Sequence, residues 1–211
     1  MGHETTSFNE QKAIARLMRF LAIEGVTGHE KAIGKEVIEV LVQAGVPRRN
    51  IKHDRANEHI PLPTETGNLI VHMPGMRPGP TRLFMTHLDT VPLCAGAKPV
   101  LKGNRIQPAG KTALGGDNRT GVATLVTMAA TLLEKELLHG PLTLMFAVRE
   151  ESGLWGARFV DPADLGNPVE AFNVDGSSPD EITIGAVGAE RWQVDITGRA
   201  AHAGEIGRAH V

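Results

Sequence analysis

Apolar residues recur along the chain in two rhythms. Ile14, Leu17, Met18 and Leu21 follow the i, i+3, i+4, i+7 spacing of an amphipathic helix. Just before them "SFNE", Ser7 to Glu10, has the form of a capping box. Ile33, Val37, Val40 and Leu41 predict a second helix, entered through another box, "TGHE" (Thr27 to Glu30), and ending near Gly45-Val46-Pro47. Val122, Leu125, Val126, Ala129, Leu132 and Leu133 predict a third, longer helix that Gly140-Pro141 ends. Short apolar runs lie between and after these stripes. "NLIVHMP" (68–74), "TRLFMTH" (81–87), "LTLMFAV" (142–148) and "AFNVD" (171–175) predict strands, the second and third of them central. Strands alternating with helices predict an α/β fold: a mixed, mostly parallel central sheet flanked by helices. Residues 48–66 are polar and contain Pro61 and Pro63, so they are expected to be irregular. Residues 92–116 hold five glycines and read as a long loop of the kind that carries function. After "GSSPDE" the rhythm changes, and "EITIGAV" and "ERWQVDITG" alternate as edge or hairpin strands do. A first domain is therefore expected over 1–188, and the beginning of a smaller α+β domain over 189–205.

Composition narrows the classes. The chain has 211 residues, 41% of them hydrophobic, with a formal net charge of -2, which suits a globular protein. No basic stripe suggests a nucleic-acid partner, and with no tyrosine there is little to stack bases on. The single cysteine, Cys94, excludes an internal disulfide and fits a reducing compartment, so a cytoplasmic location is expected. No run approaches the roughly 20 apolar residues of a membrane span, and "MGHETTSFNEQK" has no apolar signal core.

The chemistry sits at the ends of the apolar runs. His87 and Asp89 in "MTHLDTVP" close the second strand on one face. Asp117 in "GGDNRTGVA" opens the long helix, Glu150 and Glu151 follow the third strand, and Asp175 in "FNVDGSS" follows the fourth. Ligands of open α/β sheets bind beyond the carboxyl ends of strands. Singly, each position has an ordinary structural explanation: a strand-end His, a helix-capping Asp, a pair of solvated acids, an Asp-Gly turn. Together they offer metal ligands, and of two adjacent acids one can ligate while the other moves a proton. There is no GxGxxG, P-loop, GxSxG or HExxH pattern. His29, His53 and Asp54 read as surface or loop residues.

In order, "HLDTVP", "GGDN", "REESGLWGA", "NVDG" and "ITGRAAHAG" resemble the M20 family of zinc peptidases and amidohydrolases. "IEGVTGHE" is similar to its peptidase T-like group, and the resemblance spans roughly residues 10–204. It implies a zinc exopeptidase-like catalytic domain followed by a lid or dimerisation domain. It also implies two zinc ions: His87, Asp117 and Asp175 on one, with Asp117 bridging to a second held by Glu151. Glu150 would be the general base and Asp89 the residue that orients His87. A cis peptide is implied between Asp117 and Asn118. His202 would reach the substrate, in a homodimer from the neighbouring subunit. The implied reaction is cleavage of a small peptide, aminopeptidase- or tripeptidase-like, by metal-activated water. Deacylation of N-acyl amino acids is the alternative.

One further metal-ligating His of the family, located after the lid, has no counterpart here. The sequence stops nine residues after His202, and "EIGRAHV" matches a translated sequencing adapter. Residues 206–211 are therefore expected to be a non-native tail on a chain truncated inside the lid. Such a chain is expected to be an inactive, metal-binding fragment that holds at most one zinc tightly.

Overall fold

The structure, a computed structural model, describes residues 7–176, 178–188, 190, 192, 194 and 195. Helices α1 (Glu10–Leu21) and α2 (Lys31–Gln43) lie where the apolar spacing predicts them. Their entrances differ from the expected boxes. Asn9 rather than Ser7 caps α1, its side chain accepting from the Lys12 N–H. At α2, Glu30 makes no cap bond and is fully buried, turned away from its own helix.

Strands β1 (Ile51–His53), β2 (Leu69–Met73), β3 (Arg82–His87), β6 (Leu142–Ala147) and β7 (Glu170–Asn173) form one sheet, in the order β1-β2-β6-β3-β7. β3 is parallel to β6 and β7; β2 is antiparallel to β6 and to β1. Four of these five strands thus point the same way, as the alternation of strands and helices predicts. Strands β4 (Pro99–Lys102) and β5 (Arg105–Pro108) pair separately as a hairpin. Three of these strands lie in stretches expected to be irregular. β1 buries only Ile51, and the hairpin strands are half-buried at most, so none carries an alternating apolar signal. Conversely, "EITIGAV" forms no strand: Ile182, Ile184 and Val187 are almost fully exposed, and among the described residues no strand pairs with it.

Successive residues of a strand face opposite sides, and here both sides are covered. Leu144 and Phe146 pack with α1, α2 and helix α3 (Gly116–Glu134) through Phe20, Ile33, Leu41, Val122, Leu125 and Val126. Met145 and Ala147 face the other way, against Leu83 and Met85 of β3 and against Val160 and Leu165, which follow the short helix α4 (Trp155–Phe159). Contacts group the chain into a first compact unit ending at Asp175 and a second beginning at Gly176. The expected boundary at 188/189 therefore falls inside the second unit. Apart from residues 190, 192, 194 and 195, the expected lid segment 189–205 and tail 206–211 lie outside the described residues, as does His202.

α3 approaches the sheet closely at Gly121. A Cβ there would lie 2.4 Å from both Asn118 Oδ1 and Thr86 Oγ1 and 2.6 Å from the Val174 carbonyl. Two of these atoms are backbone or backbone-tethered by hydrogen bonds, so they cannot move aside cheaply. Gly121→Ala should therefore destabilise the protein by about 1–3 kcal/mol, the usual range for overpacking. Thermal denaturation checks this; an unchanged melting temperature would contradict the close approach.

Candidate metal centre

The sheet register gathers the chemistry at one edge. His87 ends β3 opposite Ala147, the last residue of β6. Pairing runs one step further on both sides of β3, through Leu88 N–H to the Ala147 carbonyl (2.8 Å) and Val174 N–H to the Met85 carbonyl (2.8 Å). The chain leaves β6 toward Glu150 and Glu151, and leaves β7 toward Asp175, at the same end. Asp117 enters from α3, where the Asp117–Asn118 peptide is cis and both residues depart from helical dihedrals. Asn118 fixes this entrance. Its Nδ2 donates to the Val174 carbonyl (2.7 Å), one residue before Asp175, and its Oδ1 accepts from Gly121 N–H (2.9 Å).

His87 is the hub. Its Nε2 lies 3.1 Å from Asp117 Oδ1, 3.9 Å from Glu150 Oε2 and 3.9 Å from Asp175 Oδ2. Donor atoms of His87, Asp117 and Glu151 lie within 4.8 Å of one another, close enough to share a metal ion. His87 is buried, whereas the Asp117 side chain is 74% exposed and forms the open rim. Nδ1 of His87 lies 3.0 Å from the Asp89 carbonyl and 3.3 Å from Asp89 Oδ1. A proton on Nδ1 is thereby satisfied, so that once Nε2 loses its proton its lone pair faces the carboxylates, the arrangement of a ligating histidine. Asp89 does more than the expected orienting of His87. Fully buried, it accepts Glu150 N–H at Oδ1 (2.9 Å) and Glu151 N–H at Oδ2 (3.1 Å). Of the seven residues predicted for the site, six converge here; His202 is outside the described residues.

Burial opposes charge on His87, but Asp89, Glu150 and Asp175 outweigh it and raise its pKa to about 9. Burial also pushes the Glu150 carboxyl up; His87 counters this, while Asp175, Asp89 and Asp117 add to it. Glu151 is raised by burial and then by Asp117. Among the described residues, His87 is the one basic side chain within ion-pair distance of Asp117, Glu150 and Asp175. One imidazole nitrogen facing several carboxylate oxygens is a donor set that suits a divalent cation.

Several supporting residues gave no sequence signal. Arg119 is buried, and burial lowers its pKa to about 10 against the pull of Asp89, Cys94 and Glu30. It is a buried positive charge behind the acidic cluster. Asp54, expected at the surface, is buried: it accepts from Ala56 N–H (3.0 Å), Asn68 N–H (2.7 Å) and Asn68 Nδ2 (2.6 Å). Asn68 in turn accepts Val148 N–H at Oδ1 (3.0 Å), holding the end of β6. Asn68, the polar residue that opens the apolar run "LIVHM", was the only available hint.

The family model for peptidase family M28 matches residues 68–203, more than half of the chain and all six residues that converge at the site. The chain belongs to peptidase family M28. Among curated relatives, the Bacillus subtilis (strain 168) protein YqjE is 29% identical over 197 residues, covering 93% of this chain and 52% of its own. Peptidase T of Escherichia coli (strain K12 / DH10B) is 29% identical over 175 residues, covering 67% of this chain and 42% of its own. The chain spans about half the length of these relatives. Among solved structures, a tripeptidase from Staphylococcus aureus is superimposable with a TM-score of 0.74 at 27% identity, covering 81% of this chain and 44% of that one. A Bacillus subtilis dinuclear metal-binding peptidase of the M20 family shares the fold, with a TM-score of 0.55 at 19% identity, covering 81% of this chain and 44% of that one. The motif resemblance to M20 thus returns as a shared fold, while the matching family model is that of M28. The likeness to peptidase T returns in the relatives themselves.

Proposed function

We propose that this protein is the catalytic part of a zinc-dependent peptidase that cleaves short peptides. The convergence of His87 Nε2, Asp117, Glu150 and Asp175 from separate elements at one sheet edge carries the reading. Similarity to peptidase T and to a tripeptidase supports short peptides as the substrate class. His87, Asp117 and Asp175 would hold one zinc ion, and Asp117 with Glu151 would hold a second. When bound, such ions polarise a carbonyl and make the attacking water more acidic. The chain's own groups supply the rest. Asp89 keeps the His87 proton on Nδ1 and fixes the backbone of both glutamates. Glu150, half-buried beside His87, takes the proton from the attacking water on a carboxylate oxygen and passes it to the leaving amine.

The test is to load the protein with zinc, measure the metal bound, and follow the release of free amino acid from a tripeptide by the full-length protein. Bound metal is expected in this chain, and tripeptide cleavage in the full-length protein. Absence of bound metal would remove the reading, and cleavage of N-acyl amino acids alone would replace the substrate class.

Proton linkage gives a further expected result. Metal-free His87, with its pKa raised to about 9, is charged at pH 7, but a ligand nitrogen must be neutral. Binding must expel that proton, so affinity should rise with pH, by up to about tenfold per unit, and level off above about 9. Calorimetric titration of zinc in buffers of differing ionisation enthalpy should show about one proton released per first ion at pH 7. A pH-independent affinity between pH 6.5 and 8.5 would contradict the charged state of His87.

A further inference from the structure

The "TGHE" segment that resembles a capping box does no capping, yet it touches the Arg149–Ser152 turn at three of its four residues. Thr27 Oγ1 donates to Ser152 Oγ (2.8 Å). Gly28, at φ +89°, leaves room for the Arg149 guanidinium, because a Cβ there would lie 2.3 Å from Arg149 Nη2. The guanidinium continues to the Pro63 carbonyl, to Thr64 Oγ1 (2.8 Å) and to Ser152 Oγ (3.3 Å). Glu30 Oε1 accepts both Gly28 N–H (2.7 Å) and Arg149 N–H (3.0 Å). His29 alone points elsewhere, to Glu65 at the surface.

We infer that Glu30 is a positioning residue for the Glu150–Glu151 pair, acting with Asp89 as a clamp on three consecutive backbone N–H groups. Arg149 N–H goes to Glu30, Glu150 N–H and Glu151 N–H to the two oxygens of Asp89. Both clamping carboxylates are fully buried. Arg149 adopts φ +50°, a region non-glycine residues enter at a cost, so the turn needs contacts that over-determine it. The two glutamate side chains hang from this turn, and a shift of its backbone moves both donors together. Asp89 accepts the second and third N–H groups; Glu30 accepts the first and stitches it to the loop ahead of α2.

The inference rests on the proposed metal centre, and its test separates the two. Zinc chloride is titrated against the protein in competition with a chelating dye. Loss of a contact behind a ligand typically costs 10–100-fold in metal affinity. Glu30→Ala, and Glu30→Asp, which keeps the charge but is one methylene too short, should both weaken binding by about that factor. Glu30→Gln should stay near wild type, because its amide oxygen still accepts both N–H groups. A purely stabilising role would lower the melting temperature of these variants but leave the zinc affinity of the folded protein unchanged. Wild-type protein that binds no zinc would defeat the metal-centre reading. Wild-type protein that binds zinc, with Glu30→Ala and Glu30→Asp binding equally well, would overturn the clamp alone. If those two variants do not fold, amide exchange in the wild type decides: an Arg149 amide as slow as those of Glu150 and Glu151 supports the clamp, and a fast one overturns it.

Discussion

In the full-length protein, Glu150→Gln is expected to leave the bound metal unchanged and to slow tripeptide hydrolysis by about 10²–10⁴-fold, the usual worth of a general base. The substitution is nearly isosteric. The backbone N–H of residue 150 would still reach Asp89 Oδ1, so the turn should stay in place. Losing one negative charge beside Asp175 and Asp117 relieves repulsion, so metal affinity has no electrostatic reason to fall. What disappears is the proton acceptor. Burial raises the Glu150 pKa from the ordinary carboxylate range, which brings it nearer the working pH where a general base is most effective. The sign of the pH dependence follows. In the wild type, turnover should fall as pH drops through the raised Glu150 pKa, because the protonated acid accepts nothing. In Glu150→Gln that limb should be absent from the residual rate. Turnover at saturating tripeptide, measured beside metal content by elemental analysis, checks both statements. Near-normal turnover in the variant would take Glu150 out of the role.

The sequence disclosed the elements with strong rhythm. β2, β3 and β6 are runs of apolar residues between turn signals, and α1 to α3 carry unbroken stripes, so the sheet and its helical cover were legible. The strand ends then located His87, Asp89, Glu150, Glu151 and Asp175, because a parallel sheet brings those ends together. Elements that bury little were not legible. β1 buries one residue of three, and the β4–β5 hairpin fully buries none. Buried polar partners were hidden for a different reason. Glu30 satisfies the local signature of a helix start as well as any capping glutamate, and only the tertiary position of Arg149 N–H reveals the stronger claim on its carboxylate. Asp54 likewise looks like a loop acid until Asn68, fourteen residues on, is seen to bond it twice. Local sequence reports a polar side chain's nearest options, and burial decides among them.

Removing the metal should cost stability, and the cost should vanish when a ligand is lost. A ligand that binds only the folded state, at a free concentration 100 times its dissociation constant, stabilises by about 2.7 kcal/mol. For a chain of this size each kcal/mol moves the melting temperature by about 2–4 °C, so zinc-saturated protein should melt roughly 5–11 °C above chelator-treated protein. His87→Ala should abolish this gap, since among the described residues its Nε2 is the one nitrogen donor facing Asp117 and Asp175. Its effect on the metal-free protein is a separate matter. His87 is buried and, at pH 7, charged against Asp89, so its loss lowers the baseline as well. The quantity to compare is therefore the metal-induced difference within each variant. Asp117→Asn supplies the cleaner control. With 74% of its side chain exposed, Asp117 contributes little packing, so the metal-free variant should melt near the wild type while its zinc-induced gap shrinks sharply. Differential scanning fluorimetry with and without chelator gives both numbers. If the gap persists undiminished in both variants, the metal is held elsewhere, and the convergence on His87 is not the centre.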